Sequence, residues 1–257
     1  MSAAFAGQVA VITGGAGGIG RALGRALTGA GATVVLADLA GEGVFPCDVT
    51  DPAALEALAD HAWGLHGRVD LLINNAGIGG AGKRLAETPL ADARRVMEVN
   101  FWGVWHGCAA FAPRLAAQDH PSAIYNVASE NALFCAVKRS AAYIASKHAV
   151  LGMTENLRDD LPPHVHAGTI IPGWVGTGIN PASIRDAAMD ADRFAAIVLP
   201  QLAARERFVV SHAYNPVRMH ERVAALDDAF ARHAPRYPGD DEFDVRTFIA
   251  ALRAQQG

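Results

Sequence analysis

Short apolar runs rich in β-branched residues alternate along this chain with longer Ala/Leu-rich segments whose apolar positions recur at helical spacing. The runs predict strands over Gln8–Thr13, Thr33–Asp38, Gly43–Pro46, Val69–Ile73, Ala123–Val127, His166–Ile170 and Arg207–Ser211. The longer segments predict helices over Gly18–Ala30, Pro52–His66, Pro89–Ala117, Ala142–Leu161, Ile184–Ala204 and Pro216–His233. Strand and helix in strict alternation imply an α/β fold: a doubly wound, Rossmann-type, mostly parallel seven-stranded sheet with helices on both faces. One link breaks the pattern. Only Leu39, Ala40, Gly41 and Glu42 separate the second strand from the third, where a parallel crossover normally takes about a dozen residues or more. Either the link runs extended around the sheet edge or the third strand is misplaced.

The length suits one domain spanning 1–257. Beyond about residue 205 the chain becomes denser in Arg, His, Pro and acidic residues, and a C-terminal extension of peripheral helices is expected near 213–257. Half the residues (51%) are hydrophobic, 19% are charged and the net charge is −4, so no basic field for nucleic acid exists. No apolar run is long enough for a membrane span, and the N-terminus has no basic region ahead of its first apolar run, so neither a membrane nor a secretory route is expected. Cys47, Cys108 and Cys135 are an odd number without a C-x-x-C pair, which suits the reducing cytoplasm. No metal site is expected.

Two stretches carry chemistry. Thr13-Gly14-Gly15-Ala16-Gly17-Gly18-Ile19-Gly20 follows a buried-type strand and opens a helix, the context in which glycines let a backbone approach a pyrophosphate at a helix N-terminus. Gly15, Gly17 and Gly20 fit one phosphate-loop spacing, and Gly14, Gly18 and Gly20 fit another, so the loop alone leaves the register open. Asp38 ends the second strand 18 residues after Gly20, where a carboxylate accepts hydrogen bonds from an adenosine ribose and repels a 2′-phosphate. NAD is therefore preferred over NADP. The second stretch, Tyr143-Ile-Ala-Ser-Lys147, places a phenol and an ammonium one helical turn apart, and the charge is expected to favour the ionised phenol.

With these motifs in this order, residues 8 to 178 resemble the short-chain dehydrogenase/reductase family. The resemblance selects Gly14, Gly18 and Gly20, with Ile19, as the cofactor loop. It implies adenine contacts from Asp48-Val49, a cofactor role for Asn75-Ala76-Gly77 within Asn74-Asn75-Ala76-Gly77, and a nicotinamide loop at Pro172-Gly173-Trp174-Val175-Gly176-Thr177. It also implies a catalytic set of Asn100, Ser129, Tyr143 and Lys147. Tyr143 would be acid/base, Lys147 would lower its pKa and hold the nicotinamide ribose, Ser129 would hydrogen-bond the reacting oxygen, and Asn100 would hold a water. Ser129 lies 14 residues before Tyr143, one more than the resemblance leads one to expect. The alternative places Glu130 in the serine position.

The reaction so implied is hydride transfer between NAD and a hydrophobic, perhaps aromatic, secondary alcohol or ketone, with Ile78, Phe134, Cys135, Trp174 and Ile179 lining the substrate side and a lid near 178–199. The alternative is an NAD(H)-binding or sensing protein of the same fold with altered chemistry. A homodimer or homotetramer is the assembly the resemblance implies.

Overall fold

The structure, a computed structural model, describes residues 4–179 and 182–256. Seven strands form a single sheet: β1 (Val9–Thr13), β2 (Thr33–Asp38), β3 (Phe45–Pro46), β4 (Leu71–Asn74), β5 (Ser122–Val127), β6 (Val165–Ile171) and β7 (Phe208–Val210). Their order is β3-β2-β1-β4-β5-β6-β7, and every pair is parallel. Winding proceeds outward from β1 in one direction and from β4 in the other, so the crevice outside their carboxyl ends is where an open α/β sheet binds its ligand.

The helices are α1 (Gly18–Gly29), α2 (Pro52–His66), α3 (Leu90–Met97), α4 (Gly103–Ala116), α5 (Ala141–Asp160), α6 (Ala182–Arg185), α7 (Ala191–Ala203), α8 (Asn215–His233) and α9 (Val245–Gln256). Side chains alternate across the sheet, and the two faces bury separate cores. Val9 and Val11 join Leu55, Leu58, Phe111, Leu115 and Val150 of α2, α4 and α5. Ala10 and Ile12 face Leu23, Leu27, Phe194 and Val198 of α1 and α7. Local signals place the helix ends. Asp51 caps α2 by accepting from the Ala53 N–H at 2.9 Å, Pro52 supplies the first helical φ, and Gly67 closes the helix in the left-handed region at φ 70°.

Four expectations need correction. The third strand is only Phe45–Pro46, paired with Ala37 and Asp38, and the residues between it and β2 form bends and a turn with no helix. The helix expected over Pro89–Ala117 is α3 and α4 joined by a π-helical turn, Glu98–Trp102. The helix expected over Ile184–Ala204 is split into α6 and α7, and the lid expected over 178–199 narrows accordingly. Residues 180 and 181 lie outside the described residues, and α7 buries Phe194, Ala195, Val198 and Leu202 in the core. Finally, the strand over Arg207–Ser211 shortens to the three residues of β7.

By compactness the chain divides into Met1–Ala213, which carries the sheet, and Tyr214–Gly257. The second unit consists of α8 and α9, and Val223, Leu226 and Phe230 on α8 and Phe248 on α9 are exposed. Among the described residues no helix is long and apolar enough to cross a membrane.

Candidate active site

The phosphate loop is built by close packing. Thr13, the last residue of β1, accepts at Oγ1 from the backbone N–H groups of Asn75 (3.0 Å) and Ala76 (3.2 Å), and the Asn75 amide donates back to the Thr13 and Gly14 carbonyls. This clasp presses the loop against the chain leaving β4. A Cβ on Gly20 would sit 2.1 Å from the Gly14 carbonyl oxygen, and one on Gly14, at φ 67°, would sit 2.8 Å from Ala76 Cα. Gly18 also has positive φ, and a Cβ on Gly15 would lie 2.8 Å from Leu36 Cβ, whereas one on Gly17 would meet open space, so every glycine of the Gly14, Gly18, Gly20 spacing has a conformational or steric reason and one of the Gly15, Gly17, Gly20 spacing has none. No side chain caps α1. Its first-turn N–H groups point into the crevice with the positive end of the helix dipole, a donor set that fits a pyrophosphate.

Asp38 is engaged within the protein. Its carboxylate accepts from the Ala16 N–H at 2.9 Å and from the Leu39 N–H at 2.8 Å, tying the tip of the glycine loop to the end of β2. Asp48 is exposed and accepts from both the backbone and the hydroxyl of Thr50. Val49 is buried, close enough to Gly103 at the start of α4 that a Cβ there would fall 2.7 Å from Val49 Cγ2. The loop Pro172–Thr177 returns to the other side of the crevice, where a Cβ on Gly18 would lie 3.1 Å from Thr177 Cβ. Val175 is buried and forms an isolated bridge to Met189, and Gly173 donates its N–H to His212 Nδ1 at 3.2 Å. His212 presses so closely on Gly173 that a Cβ there would meet its ring at 2.4 Å. Sequence reading did not find this support, because 39 residues separate the partners.

Tyr143 and Lys147 lie in the first turns of α5, and a buried polar chain fixes that helix to the sheet. Asn74 donates to Asn126 at 2.9 Å, Asn126 donates to Thr154 Oγ1 at 2.9 Å, and Thr154 donates to the Val150 carbonyl at 2.7 Å. Burial pushes the neighbouring Cys108 thiol up to about 12, which makes it a packing group and not a nucleophile. Asn100 is fully buried in the π-helical turn, a local widening often found at functional sites. Its amide pairs with both backbone groups of Ile78, accepting from the N–H at 2.8 Å and donating to the carbonyl at 2.9 Å. It also donates to Ser146 Oγ at 3.3 Å, and Ser146 donates to the Tyr143 carbonyl at 2.7 Å.

Ser129 is buried just past β5, and its hydroxyl acts to lower the pKa of the Tyr143 phenol. The residue following it, Glu130, donates its N–H to the Pro172 carbonyl at 2.8 Å, which joins the serine turn to the Pro172–Thr177 loop. Between Ser129 and Tyr143 lie the 3-10 turn Glu130–Ala132 and a loop in which Arg139 adopts φ 58°.

The electrostatics differ from the sequence expectation. Burial pushes the Tyr143 phenol above its ordinary value, the Ser129 hydrogen bond opposes this, and the Glu130 charge adds to the rise. The lowering influence is thus the serine, not the ammonium named from the sequence. Burial also lowers Lys147 to about 8, while its Nζ donates to the Val127 carbonyl at 2.9 Å.

Of the substrate-side candidates, Ile78 is partly buried and Phe134 is buried, whereas Cys135, Trp174 and Ile179 are exposed. Ile179 lies over Gly79, where a Cβ would come within 3.1 Å of its methyl group. No cluster of three or more His, Cys, Asp or Glu that could hold a metal occurs among the described residues.

Residues 8–188 match the family described as short chain dehydrogenase. The chain is 35% identical to a 1-deoxy-11-beta-hydroxypentalenate dehydrogenase of Streptomyces arenae, over 93% of each chain. It is 35% identical to the mitochondrial borneol dehydrogenase of Lavandula x intermedia, over 66% of this chain and 70% of that one. Among solved structures, a short chain dehydrogenase/reductase from Burkholderia phymatum in complex with NAD superposes with a TM-score of 0.78 at 30% identity, covering 91% of this chain and 98% of the other. A short chain dehydrogenase from Burkholderia cenocepacia in complex with NADP gives 0.74 at 30% identity, covering 91% and 100%.

Proposed function

The chain is a member of the short-chain dehydrogenase family, and from that membership we propose that it moves a hydride between NAD and a hydrophobic secondary alcohol or its ketone, with Tyr143 handling the hydroxyl proton. Membership makes it an oxidoreductase with a nicotinamide cofactor. The observation that carries the finer reading is the Lys147 ammonium 5.8 Å from the centre of the Tyr143 ring, with Ser129 and Asn100 buried at the same carboxyl edge of the sheet.

A bound nicotinamide supplies the hydride acceptor or donor, and the protein must manage the proton. The glycine loop and the first turn of α1 would hold the pyrophosphate, Asp38 the adenosine ribose, Asp48 and Val49 the adenine side, and Asn75, Ala76, Gly77 and the Pro172–Thr177 loop the nicotinamide half. Lys147 would hold the nicotinamide ribose with the N–H bonds left after Val127. In alcohol oxidation the Tyr143 phenolate accepts the hydroxyl proton as the hydride leaves carbon, and Ser129 donates a hydrogen bond to the same oxygen. A phenol of ordinary pKa is only ~0.1% ionised at neutral pH. The buried site raises that barrier further, and Ser129 is the group that opposes the rise.

The preference for NAD is supported by Asp38, a carboxylate held at the end of β2 by two accepted backbone bonds. A bulky apolar substrate is supported by the exposed Trp174 and Ile179 and by relatives named for hydroxypentalenate and borneol. Self-association as a homodimer or homotetramer is supported by a cluster of Phe101, Trp102 and Trp105, in which Trp102 and Trp105 are exposed. The three free cysteines fit a cytoplasmic location. The catalytic domain of this proposal is the sheet-bearing unit, with the segment from Gly178 as a lid and Tyr214–Gly257 as an extension.

The test is NAD reduction across a panel of hydrophobic secondary alcohols, wild type against Tyr143→Phe. A loss of about a hundredfold or more in the variant is expected for removal of an acid/base group; unchanged turnover would refute the mechanism. Tight NADH binding with no turnover across the panel would instead mark a sensing protein.

A further inference from the structure

Asn131 has no role in the proposed reaction so far, yet its side chain makes three hydrogen bonds in and around the Ser129 turn. It is buried, and its Oδ1 accepts from two backbone N–H groups, Ala136 at 3.1 Å and Val137 at 3.3 Å. Two donors at one end fix which way the amide points, so its NH2 is directed at Ser129 Oγ, 3.3 Å away. The backbone N–H of Asn131 reaches the same oxygen at 3.2 Å.

A serine hydroxyl has two acceptor sites and one hydrogen. With both acceptor sites filled by Asn131, the only function left to Ser129 is its O–H. We infer that Asn131 is a positioning residue that makes Ser129 a one-way hydrogen-bond donor, its single hydrogen turned toward either the Tyr143 oxygen or the reacting oxygen. A donating serine stabilises the phenolate and an alkoxide-like substrate oxygen. One free to accept would take a hydrogen bond from the phenol O–H and hold Tyr143 in its neutral form. The Oδ1 contacts couple this polarity to residues 136–137, so the loop that borders the substrate and the serine that touches it are held by the same amide.

This inference rests on the dehydrogenase reading above, and the Asn131→Asp variant isolates it. Asp retains an oxygen for Ala136 and Val137, loses the donor to Ser129, and offers a carboxylate that draws the serine hydrogen away from the phenol. The other titratable groups facing that phenol, Lys147 on its own helix and Glu130 on the serine turn, are unchanged. The experiment measures kcat/KM for alcohol oxidation as a function of pH in wild type, Asn131→Asp, Asn131→Ala, Ser129→Ala and the double variants, together with NADH affinity. The expected result is a tenfold or greater loss in Asn131→Asp near neutral pH and an acid limb moved upward by about one pH unit, with NADH affinity kept and no further loss when Ser129 is already Ala. If Asn131→Asp does not fold, Asn131→Ala carries the same comparison. A wild-type pH profile in the Asn131 variants, or an equal loss in the Ser129→Ala background, overturns the inference while leaving the reaction standing. Insensitivity of turnover to Tyr143→Phe, or no turnover in wild type, overturns the reaction and this inference with it.

Discussion

The Lys147 ammonium lies 5.8 Å from the centre of the Tyr143 ring and directs a hydrogen bond at the Val127 carbonyl, 2.9 Å away. The pair is thus arranged ring against charge, with the ammonium anchored to the end of β5. Lys147 is 4% exposed, and that burial is the cause of its lowered pKa.

Lys147 should therefore cost stability at neutral pH. Its amine titrates near 10.5 in the unfolded chain and at about 8 in the folded one. Below pH 8 both forms are charged and the burial penalty is fully present. Between these values the unfolded chain holds more protons, so stability rises with pH, and above them the penalty is gone. In the absence of nucleotide, Lys147→Met should be more stable than wild type at pH 7 by on the order of 2 kcal/mol, trimmed by the unpaired Val127 carbonyl. The gap should close toward pH 10.5, while turnover is lost. Urea unfolding at both ends of this range measures it; a variant less stable at pH 7 would contradict it.

Asn100 should matter to folding before it matters to chemistry. Replacement by Ala leaves the Ile78 N–H and carbonyl without their partner inside the protein, at ~1–3 kcal/mol for each unsatisfied group. A drop of about 2–4 kcal/mol in unfolding free energy at unchanged m-value is expected. A change below about 0.5 kcal/mol, the size of an ordinary surface substitution, would show that the pairing with Ile78 is dispensable.

Asp38 should act on both the loop and the cofactor choice. Asp38→Ser removes a charged acceptor from the Ala16 and Leu39 N–H groups. Charge-assisted bonds of this kind are worth ~1.5–3 kcal/mol, so NADH affinity should fall roughly tenfold to a hundredfold and the discrimination against NADPH should narrow. Fluorescence titration with both nucleotides decides this, and tighter NADPH than NADH binding by the wild type would refute the stated preference.

What the sequence made legible were features with local causes. The seven strands and the glycine loop follow from contiguous patterns, and Tyr143 and Lys147 from four-residue spacing on one helix. The resemblance then supplied Asn100 and Ser129. Groups whose partners are remote in sequence stayed hidden: Asn126 and Thr154 under α5, His212 beneath Gly173, and Thr13 clasping Asn75. Asn131 was hidden for a different reason, since an asparagine in a loop carries no spacing signal. The rise in the Tyr143 pKa was equally invisible, because desolvation depends on everything packed around the ring. The short link after Asp38 was legible as an anomaly, and its resolution was a two-residue strand.

The π-helical turn at Glu98–Trp102 has a consequence for how this chain tolerates change in length. A regular helix advances about 100° per residue, and the wide turn absorbs one residue beyond that schedule. Deleting any single residue there would let ordinary helix form straight through from α3 to α4. The local hydrogen bonding would improve, but Asn100 would swing away from Ile78, or Phe111 and Leu115 would rotate off the core beneath α4. Within these five positions the count of residues is more constrained than most of their identities, and a deletion that favours the helix should still be lost to selection for the enzyme.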